Sequence, residues 1–285
     1  MSASPRLPDF VIIGAAKAAT TWIQMRLQEN PSIFMPDPEP HFFSREYDKG
    51  EDYYRSWFED APGWAALVGE KSADYLSDPA TPARLAAMMP QAKLVAQLRN
   101  PVDRAYSDYK MLYRRGLVSD RPEDYLSSPD NPEPRFLLDG LYGRHLSTWL
   151  RHFDREQLLV FPFEDVKADP AGVIERVSAH IDAPIAPDTD RKTVSRRENN
   201  SREKLLPLPL RQMLAPFKET VRPLRGKPWF EGARALLARE VKYPALDPAL
   251  RRRMEEFYRD DIALTEEITG LDLAHWKVPA ASVAA

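Results

Sequence analysis

The segment that most constrains the fold of this chain is residues 10–22, which read Phe-Val-Ile-Ile-Gly-Ala-Ala-Lys-Ala-Ala-Thr-Thr-Trp. The apolar run at 10–13 predicts a buried strand, Gly14 predicts a tight loop, and the residues after the loop begin an amphipathic helix. Such a junction points backbone N–H groups and a helix N-terminus at one place. Together with Lys17 and two hydroxyls, it predicts a receptor for an anionic group. The alternative is an ordinary turn with a solvated lysine.

The composition fits a globular protein and excludes several classes of site. With 285 residues, 43% hydrophobic and 29% charged, the chain is expected to form one domain over residues 1–285. The net charge of -3 provides no basic field for nucleic acid. Because there is no cysteine, disulfides, thiolate nucleophiles and cysteine-type zinc sites are excluded. The five histidines do not fall at the spacing of a helical zinc motif, so we expect no metal.

The amino-terminal residues 1–8 lack a basic segment followed by an apolar core, which is the pattern of an export signal. No apolar run approaches the roughly 18 residues that cross a bilayer. We therefore expect a cytoplasmic protein without a membrane span. Nothing in the sequence indicates an oligomeric state.

Beyond the first segment, short apolar runs alternate with helical patterns. Strands are predicted at 32–35, 66–72, 93–99 and 158–161. Helices are predicted at 47–64, 81–89, 101–115, 141–153 and 171–181. This alternation predicts an α/β fold with a central parallel sheet and helices on both of its faces. Ligands of such sheets bind at the carboxyl ends of the strands.

Charged and hydroxyl side chains follow several of these strand ends and should gather on one rim of the sheet. They are Lys17, Glu39, Lys71, Arg99 and Ser107. Glu39 and His41 lie on a loop that three prolines between 36 and 40 hold stiff. Lys71 and Ser72 are expected to be exposed at a charged strand tip.

Two helices have clear boundaries in the sequence. Asn100-Pro101 and Asp247-Pro248 each place a capping side chain before a proline at the first helical position. The second of these helices should end at Gly270. Its predicted apolar stripe is Leu250, Met254, Phe257, Leu264 and Ile268.

Two segments leave alternatives open. The aromatic residues of the 47–64 helix, which include Tyr54 and Phe58, are predicted to pack on the sheet, with a sugar-stacking surface as the alternative. Residues 189–204 are basic and polar, and they form either a loop that closes over a phosphate or a solvated surface loop.

The first segment does not fit a P-loop nucleoside triphosphatase. That motif needs a second glycine and a late lysine beside a metal-binding hydroxyl. Here Lys17 comes three residues after Gly14, and no second glycine follows in the loop. Such a loop can cradle a phosphate, but it lacks the pair that handles a γ-phosphate with its metal.

Four stretches resemble sulfotransferases that use 3′-phosphoadenosine-5′-phosphosulfate (PAPS). Residues 14–22 resemble their 5′-phosphosulfate loop, and 98–109, Leu-Arg-Asn-Pro-Val-Asp-Arg-Ala-Tyr-Ser-Asp-Tyr, resemble their 3′-phosphate segment. Residues 39–43, Glu-Pro-His-Phe-Phe, and 69–75, Gly-Glu-Lys-Ser-Ala-Asp-Tyr, are similar to the heparan-sulfate branch and its bacterial relatives. The four stretches occur in the family's order.

The resemblance implies a P-loop-like fold and a role for each matching residue. Its 5′-phosphosulfate site falls on Gly14, Ala16, Lys17, Ala18, Ala19, Thr20, Thr21 and Trp22. Its 3′-phosphate site falls on Arg99 and Ser107, and its general base, which deprotonates the acceptor, falls on Glu39. Lys17 and Lys71 would neutralise the charge that builds during transfer. The implied reaction is an in-line transfer without a metal.

The chain departs from the family pattern in two places. Pro38 stands where many relatives have lysine before the glutamate, so His41 is a rival base, although it also suits a role in orienting the loop. The Lys-Gly-Arg of the family's later phosphate loop is absent, and its substitutes would be Arg196, Arg197 and Asn199. The nucleotide-binding core is then about 8–182, with the basic loop and acceptor-side elements in about 183–278.

The predicted function is transfer of a sulfuryl group from PAPS to a hydroxyl of a carbohydrate or glycosylated metabolite, with adenosine 3′,5′-bisphosphate as product. One alternative is a nucleotide-dependent phosphotransferase. Another is a non-catalytic protein that binds adenosine 3′,5′-bisphosphate. The loops at 116–135 and 205–243 are predicted to shape the acceptor pocket, and their composition does not distinguish a small molecule from a glycan.

Overall fold

The computed structural model describes residues 6–184 and 241–277, and within them the chain forms one five-stranded sheet. The strands are β1 (Phe10–Gly14), β2 (Ile33–Phe34), β3 (Leu67–Lys71), β4 (Lys93–Leu98) and β5 (Leu158–Pro162). Their order is β2-β3-β1-β4-β5, and every pairing is parallel. The prediction of a central parallel sheet is confirmed.

The central strand β1 explains why the first segment dominates the fold. All five of its residues are buried. Phe10 and Ile12 pack into the core on one face of the sheet, whereas Val11 and Ile13 pack into the core on the other. A strand covered on both faces needs apolar side chains at every position, which produces an unbroken apolar run.

Helices cover both faces of the sheet. They are α1 (Thr20–Gln28), α2 (Glu51–Ser56), α3 (Thr81–Met88), α4 (Pro101–Arg115), α5 (Glu123–Leu126), α6 (Arg135–Leu138), α7 (Tyr142–Trp149), α8 (Phe163–Ala168), α9 (Pro170–His180) and α10 (Pro248–Thr269). α1 and α9 pack on the face of Phe10, and α4, α7 and α10 on the face of Val11. Among these helices, none combines the length and apolar character of a bilayer-spanning segment.

The two capped helices have the predicted boundaries. The Asn100 side chain accepts hydrogen bonds from two N–H groups of the first turn of α4, at 3.0 and 3.3 Å. Asp247 caps α10 in the same way, at 2.7 and 3.3 Å. Both helices end at a left-handed glycine, Gly116 with φ 76° and Gly270 with φ 72°. These signals could be read from the sequence because each acts within one helical turn.

The predicted helix at 47–64 is wrong. A π-helical turn (Phe42–Glu46) and a 3₁₀ turn (Tyr47–Lys49) come first, and α2 then covers only six residues. Gly50, with φ 82°, separates the 3₁₀ turn from α2 because this backbone conformation cannot continue a helix. The aromatic side chains of this region pack in the core, as predicted, with Tyr54 and Phe58 almost fully buried.

The apolar stripe predicted for α10 is correct only at its start. Besides Leu250 and Met254, the buried residues are Tyr258, Ile262 and Thr265, rather than Phe257, Leu264 and Ile268, which are half-buried. The hydroxyls explain the difference. Tyr258 donates to the carbonyl of Leu137 at 2.8 Å, and Thr265 to that of Asp261 at 2.7 Å, so both polar groups are satisfied in the core.

Candidate functional site

The loop between β1 and α1 has the backbone features of an anion site. Lys17 and Ala19 both have φ 70°, in the left-handed region. Such residues turn successive N–H groups toward one side of a loop. α1 begins at Thr20, and no side chain caps its first turn. A helix start without a side-chain cap is the usual setting of anion sites at helix N-termini.

Gly14 brings this loop against the segment that follows β3. Its φ is 152°, and a Cβ at this position would lie 2.8 Å from the Leu76 Cβ and 2.9 Å from the Ala73 carbonyl oxygen. No larger residue leaves room for this approach. Gly14 therefore allows the β1–α1 loop to pack against Ala73 and Leu76, which lie far from it in the sequence.

The Lys17 side chain extends toward α4. Its Nζ donates a hydrogen bond to the Met111 Sδ at 3.4 Å. Burial lowers the pKa of the Lys17 ammonium, which the charge of Asp108 opposes and the nearby Arg115 and Arg99 reinforce. An anion bound at the loop would relieve this repulsion among cations.

Arg99 lies at the end of β4 and is tied to the same loop. Its guanidinium donates to the Lys17 carbonyl oxygen at 3.1 Å and lies 5.5 Å from the centre of the Phe163 ring. Ser107 is half-buried in α4, two turns beyond Arg99. Among the other predicted loop residues, Ala18 is fully buried and the Trp22 indole lies in the core on the α1 face.

A second group of side chains forms around Glu39. The Lys71 Nζ donates to the Glu39 Oε1 at 2.7 Å and to the Thr21 Oγ1 at 3.0 Å. The other carboxylate oxygen, Oε2, accepts the N–H of Ala73 at 2.9 Å. Lys71 thus connects the predicted base directly to the first turn of α1.

The prediction that Lys71 and Ser72 are exposed is wrong. The Lys71 side chain is 2% exposed and Ser72 is fully buried. The reason is that β3 is an internal strand, paired with β1 on one side and β2 on the other. Glu39, whose side chain is 26% exposed, pairs with the lysine above the sheet. A charged lysine can be buried when a carboxylate pairs with it, whereas burial of an unpaired ammonium group is strongly unfavourable.

His41 is held by an aspartate that the sequence analysis did not single out. The His41 Nδ1 lies 2.6 Å from the Asp74 Oδ1, and its Nε2 lies 3.9 Å from the Glu39 Oε2. Asp74 also accepts the Ser44 hydroxyl at 3.0 Å and pairs with Arg45 at 2.8 Å. Burial opposes ionisation, but the hydrogen bond and charge of His41, with Arg45, lower the pKa of Asp74. In the sequence, the indication of a role for Asp74 is its position within the 69–75 motif.

Glu39, His41 and Asp74 could each offer a ligand atom to a metal ion, with the three atoms within 4.8 Å of one another. Each carboxylate in the group is already paired with a basic side chain, Glu39 with Lys71 and Asp74 with Arg45. The arrangement is therefore balanced in charge without a cation. The expectation that no metal takes part stays a prediction.

A buried carboxyl, Glu70, lies beneath this group. Glu70 is fully buried on β3, and its Oε1 accepts the Tyr54 hydroxyl at 2.9 Å. Burial raises the pKa of Glu70 to about 8, although hydrogen bonds from Tyr54, Tyr75 and Ser72 lower it, and the charge of Asp74 adds to the rise. The residue is adjacent to Lys71 in sequence, but its side chain points to the opposite face.

Glu70 should make the stability of the protein fall as the pH rises toward 8. Its pKa is about 8 in the folded protein and about 4.5 ordinarily. Between these values the folded state binds more protons than the unfolded chain, so the free energy of unfolding decreases with pH and levels off above 8. We expect Glu70→Gln to become more stable relative to the native protein as the pH increases from about 5 to about 8. Urea unfolding at several pH values measures this, and parallel profiles would contradict it.

Three of the predicted site residues, Arg196, Arg197 and Asn199, lie outside the described residues, as does the whole basic segment 189–204. Most of the predicted acceptor loop at 205–243 also lies outside them. The described site therefore consists of the β1–α1 loop, the residues around Glu39 and the end of β4.

The sequence and the fold are similar to those of known proteins. Residues 7–212 match the family described as the sulfotransferase domain. Heparan sulfate glucosamine 3-O-sulfotransferase 3B1 of Homo sapiens is 35% identical over 186 residues, which are 62% of this chain and 46% of that protein. Bifunctional heparan sulfate N-deacetylase/N-sulfotransferase 1 of Caenorhabditis briggsae is 33% identical over 209 residues, 66% of this chain and 24% of that protein.

A solved structure extends the similarity over nearly the whole chain. The crystal structure of a sulfotransferase from Alicyclobacillus acidocaldarius has a TM-score of 0.69 and 26% identity, and the match covers 95% of this chain and 99% of that one. In contrast, the chain spans less than half the length of the two heparan sulfate relatives.

Proposed function

Because this chain belongs to the sulfotransferase domain family, we propose that it transfers a sulfuryl group from PAPS to an acceptor hydroxyl. The observation that carries the proposal is the contact of Lys71 with both Glu39 and Thr21, at 2.7 and 3.0 Å. Through this contact a carboxylate and a buried cation lie beside the helix start that is proposed to receive the anion. A base, a charge-neutralising group and an anion site are what this transfer requires.

In this proposal, the β1–α1 loop binds the 5′-phosphosulfate and the end of β4 binds the 3′-phosphate. The 5′-phosphosulfate is held by the N–H groups of residues 16–21, by Lys17 and by the hydroxyls of Thr20 and Thr21. The 3′-phosphate is held by Arg99 and Ser107. Its site is completed from the later basic segment by Arg196, Arg197 and Asn199. The left-handed backbone at Lys17 and Ala19 and the uncapped start of α1 support this assignment.

The proposed chemistry is an in-line displacement at sulfur. The acceptor oxygen forms a bond to sulfur while the bond from sulfur to the 5′-phosphate oxygen breaks, so that adenosine 3′,5′-bisphosphate leaves. The acceptor proton moves to the Glu39 carboxylate. As Glu39 becomes neutral it releases Lys71, whose ammonium then stabilises the charge on the sulfuryl oxygens and the leaving phosphate together with Lys17.

We infer that this charge is handled by lysines and that no metal is needed. The Lys71 ammonium is buried, and a charge in such a place interacts more strongly with the reacting group than one in water. Lys17 supplies a second cation on the α4 side of the loop. The two lysines thus supply positive charge of the kind that a metal ion supplies in other enzymes.

The acceptor is proposed to be a carbohydrate hydroxyl, in a glycan or a glycosylated small molecule. The two relatives are named as heparan sulfate enzymes, and this supports a carbohydrate acceptor. The cytoplasmic location and the absence of a nucleic-acid partner stay predictions.

The test is to incubate the protein with PAPS and separate panels of glycans, lipids and phenols, and to follow adenosine 3′,5′-bisphosphate and sulfated product by mass spectrometry. Sulfated glycan without added metal supports the full proposal. Bound nucleotide without any product supports the non-catalytic binder instead. Magnesium-dependent turnover of ATP would support a phosphotransferase.

Lys17→Ala and Arg99→Ala should each weaken PAPS binding by at least about tenfold. A charge-assisted hydrogen bond contributes about 1.5–3 kcal/mol, and a factor of ten corresponds to about 1.4 kcal/mol. Calorimetric titration measures the affinities. Lys93→Ala is the matched control, because Lys93 lies at the opposite end of β4 from Arg99. Unchanged affinity in both variants would remove the assignment of these residues to the nucleotide.

A further inference from the structure

We propose that Glu70 is a positioning residue of this site: its buried carboxyl orients the Ser72 hydroxyl that holds the His41 backbone and so keeps Glu39 against Lys71. The inference rests on the proposed function for its meaning in catalysis. The positioning itself can be tested without any transfer. The proposed positioning role requires no contact of Glu70 with the donor or the acceptor.

The first step of the argument concerns the anchors of the loop. The backbone N–H of His41 donates to the Ser72 Oγ at 2.9 Å, and the N–H of Phe43 donates to the Tyr75 hydroxyl oxygen at 3.2 Å. Both anchors are side chains of the segment directly after Glu70. Without them, these two N–H groups would have no partner in a region that is largely buried.

The second step concerns the protons of the anchoring hydroxyls. A hydroxyl that accepts an N–H still has one proton to donate. The Ser72 hydroxyl donates to the Glu70 Oε2 at 3.5 Å. The Tyr54 hydroxyl donates to the Oε1 at 2.9 Å. The carboxyl group therefore orients the Ser72 anchor through one oxygen and is held by Tyr54 at the other.

The third step connects the loop to the site. Glu39 precedes the anchored His41 by two residues, and its Oε2 accepts the N–H of Ala73, which lies between Ser72 and Tyr75. The segment after Glu70 therefore holds Glu39 directly through the Ala73 N–H. It holds the rest of the loop through Ser72, which Glu70 orients. Displacement of a reacting group by about 1 Å can lower a rate about 10²-fold. Loss of Glu70 should therefore affect turnover more than nucleotide affinity.

The experiment compares Glu70→Leu with Glu70→Gln. Amide hydrogen exchange at His41, measured by NMR, should be at least about tenfold faster in Glu70→Leu than in the native protein, while Ile12 in β1 keeps its protection. Glu70→Gln retains an oxygen acceptor of the same shape and should restore most of the protection. Normal exchange at His41 in folded Glu70→Leu would overturn the proposal.

If Glu70→Leu does not fold, single hydroxyl deletions replace it. Ser72→Ala should accelerate exchange mainly at His41, and Tyr75→Phe mainly at Phe43. No change in either variant would refute the role of the anchors. Where transfer is detected, Glu70→Leu should lower kcat at least about tenfold with the KM for PAPS within about a factor of two. The exchange results stand even if the protein transfers nothing, so failure of the proposed function and failure of this inference remain distinct.

Discussion

Replacement of Glu39 by glutamine should lower kcat for sulfuryl transfer by about 10²–10⁴-fold and leave PAPS affinity nearly unchanged. The amide is close in shape to the carboxylate and can still accept from the Ala73 N–H. It cannot take the acceptor proton. The loss should therefore appear in turnover rather than in donor binding, which steady-state kinetics and calorimetric titration can separate.

The rival base His41 predicts the opposite pattern. Its Nε2 lies only 3.9 Å from the Glu39 Oε2, so both groups are near the same place. If His41 takes the proton, His41→Asn should lose turnover while Glu39→Gln retains most of it. Asp37→Asn is the matched control, since Asp37 is an exposed carboxylate two residues before Glu39 on the same loop. Retention of the native kcat by Glu39→Gln would contradict the assigned base.

The parts of this structure that local physical chemistry determines could be predicted from the sequence. The apolar runs of β1, β4 and β5 are long enough to indicate strands covered on both faces. The caps Asn100 and Asp247 act within one turn of their helices. The expectation that the site residues gather at one edge then follows, because parallel strands joined by helices bring their carboxyl ends together.

The features that depend on distant partners could not be predicted. Lys71 and Glu70 are charged types that usually face water, and their burial depends on Glu39 in one case and Tyr54 in the other. The left-handed backbone at Lys17 and Ala19 has no signal in residue type, because these residues rarely adopt it. Such strain is common where a loop is shaped for a ligand.

The two unpredicted residues Asp74 and Glu70 lie four positions apart in one short segment. Asp74 binds the imidazole of His41, and Glu70 holds the hydroxyl that anchors the backbone of the same residue. His41 is thereby fixed in both orientation and position. This arrangement suits a residue that shapes the loop around Glu39.

Lys71→Met should lower kcat by about 10²–10³-fold, the usual effect of removing one group that stabilises charge in the transition state. Methionine fills a similar volume but supplies no cation to Glu39, Thr21 or the sulfuryl oxygens. Lys49→Met is the control, because Lys49 is an exposed lysine on the 3₁₀ turn before α2. Urea unfolding establishes that each variant is folded before its kinetics are compared.

The double variant Glu39→Gln/Lys71→Met shows whether the pair acts as a unit. If the proton transfer to Glu39 is what releases Lys71 toward the sulfuryl group, removal of either residue prevents the same step. The double variant should then be little slower than the slower single variant, because the effects of residues that act together are not additive. Effects that multiply fully would mean that Glu39 and Lys71 contribute independently. Native turnover in Lys71→Met would instead place the charge-neutralising role on Lys17.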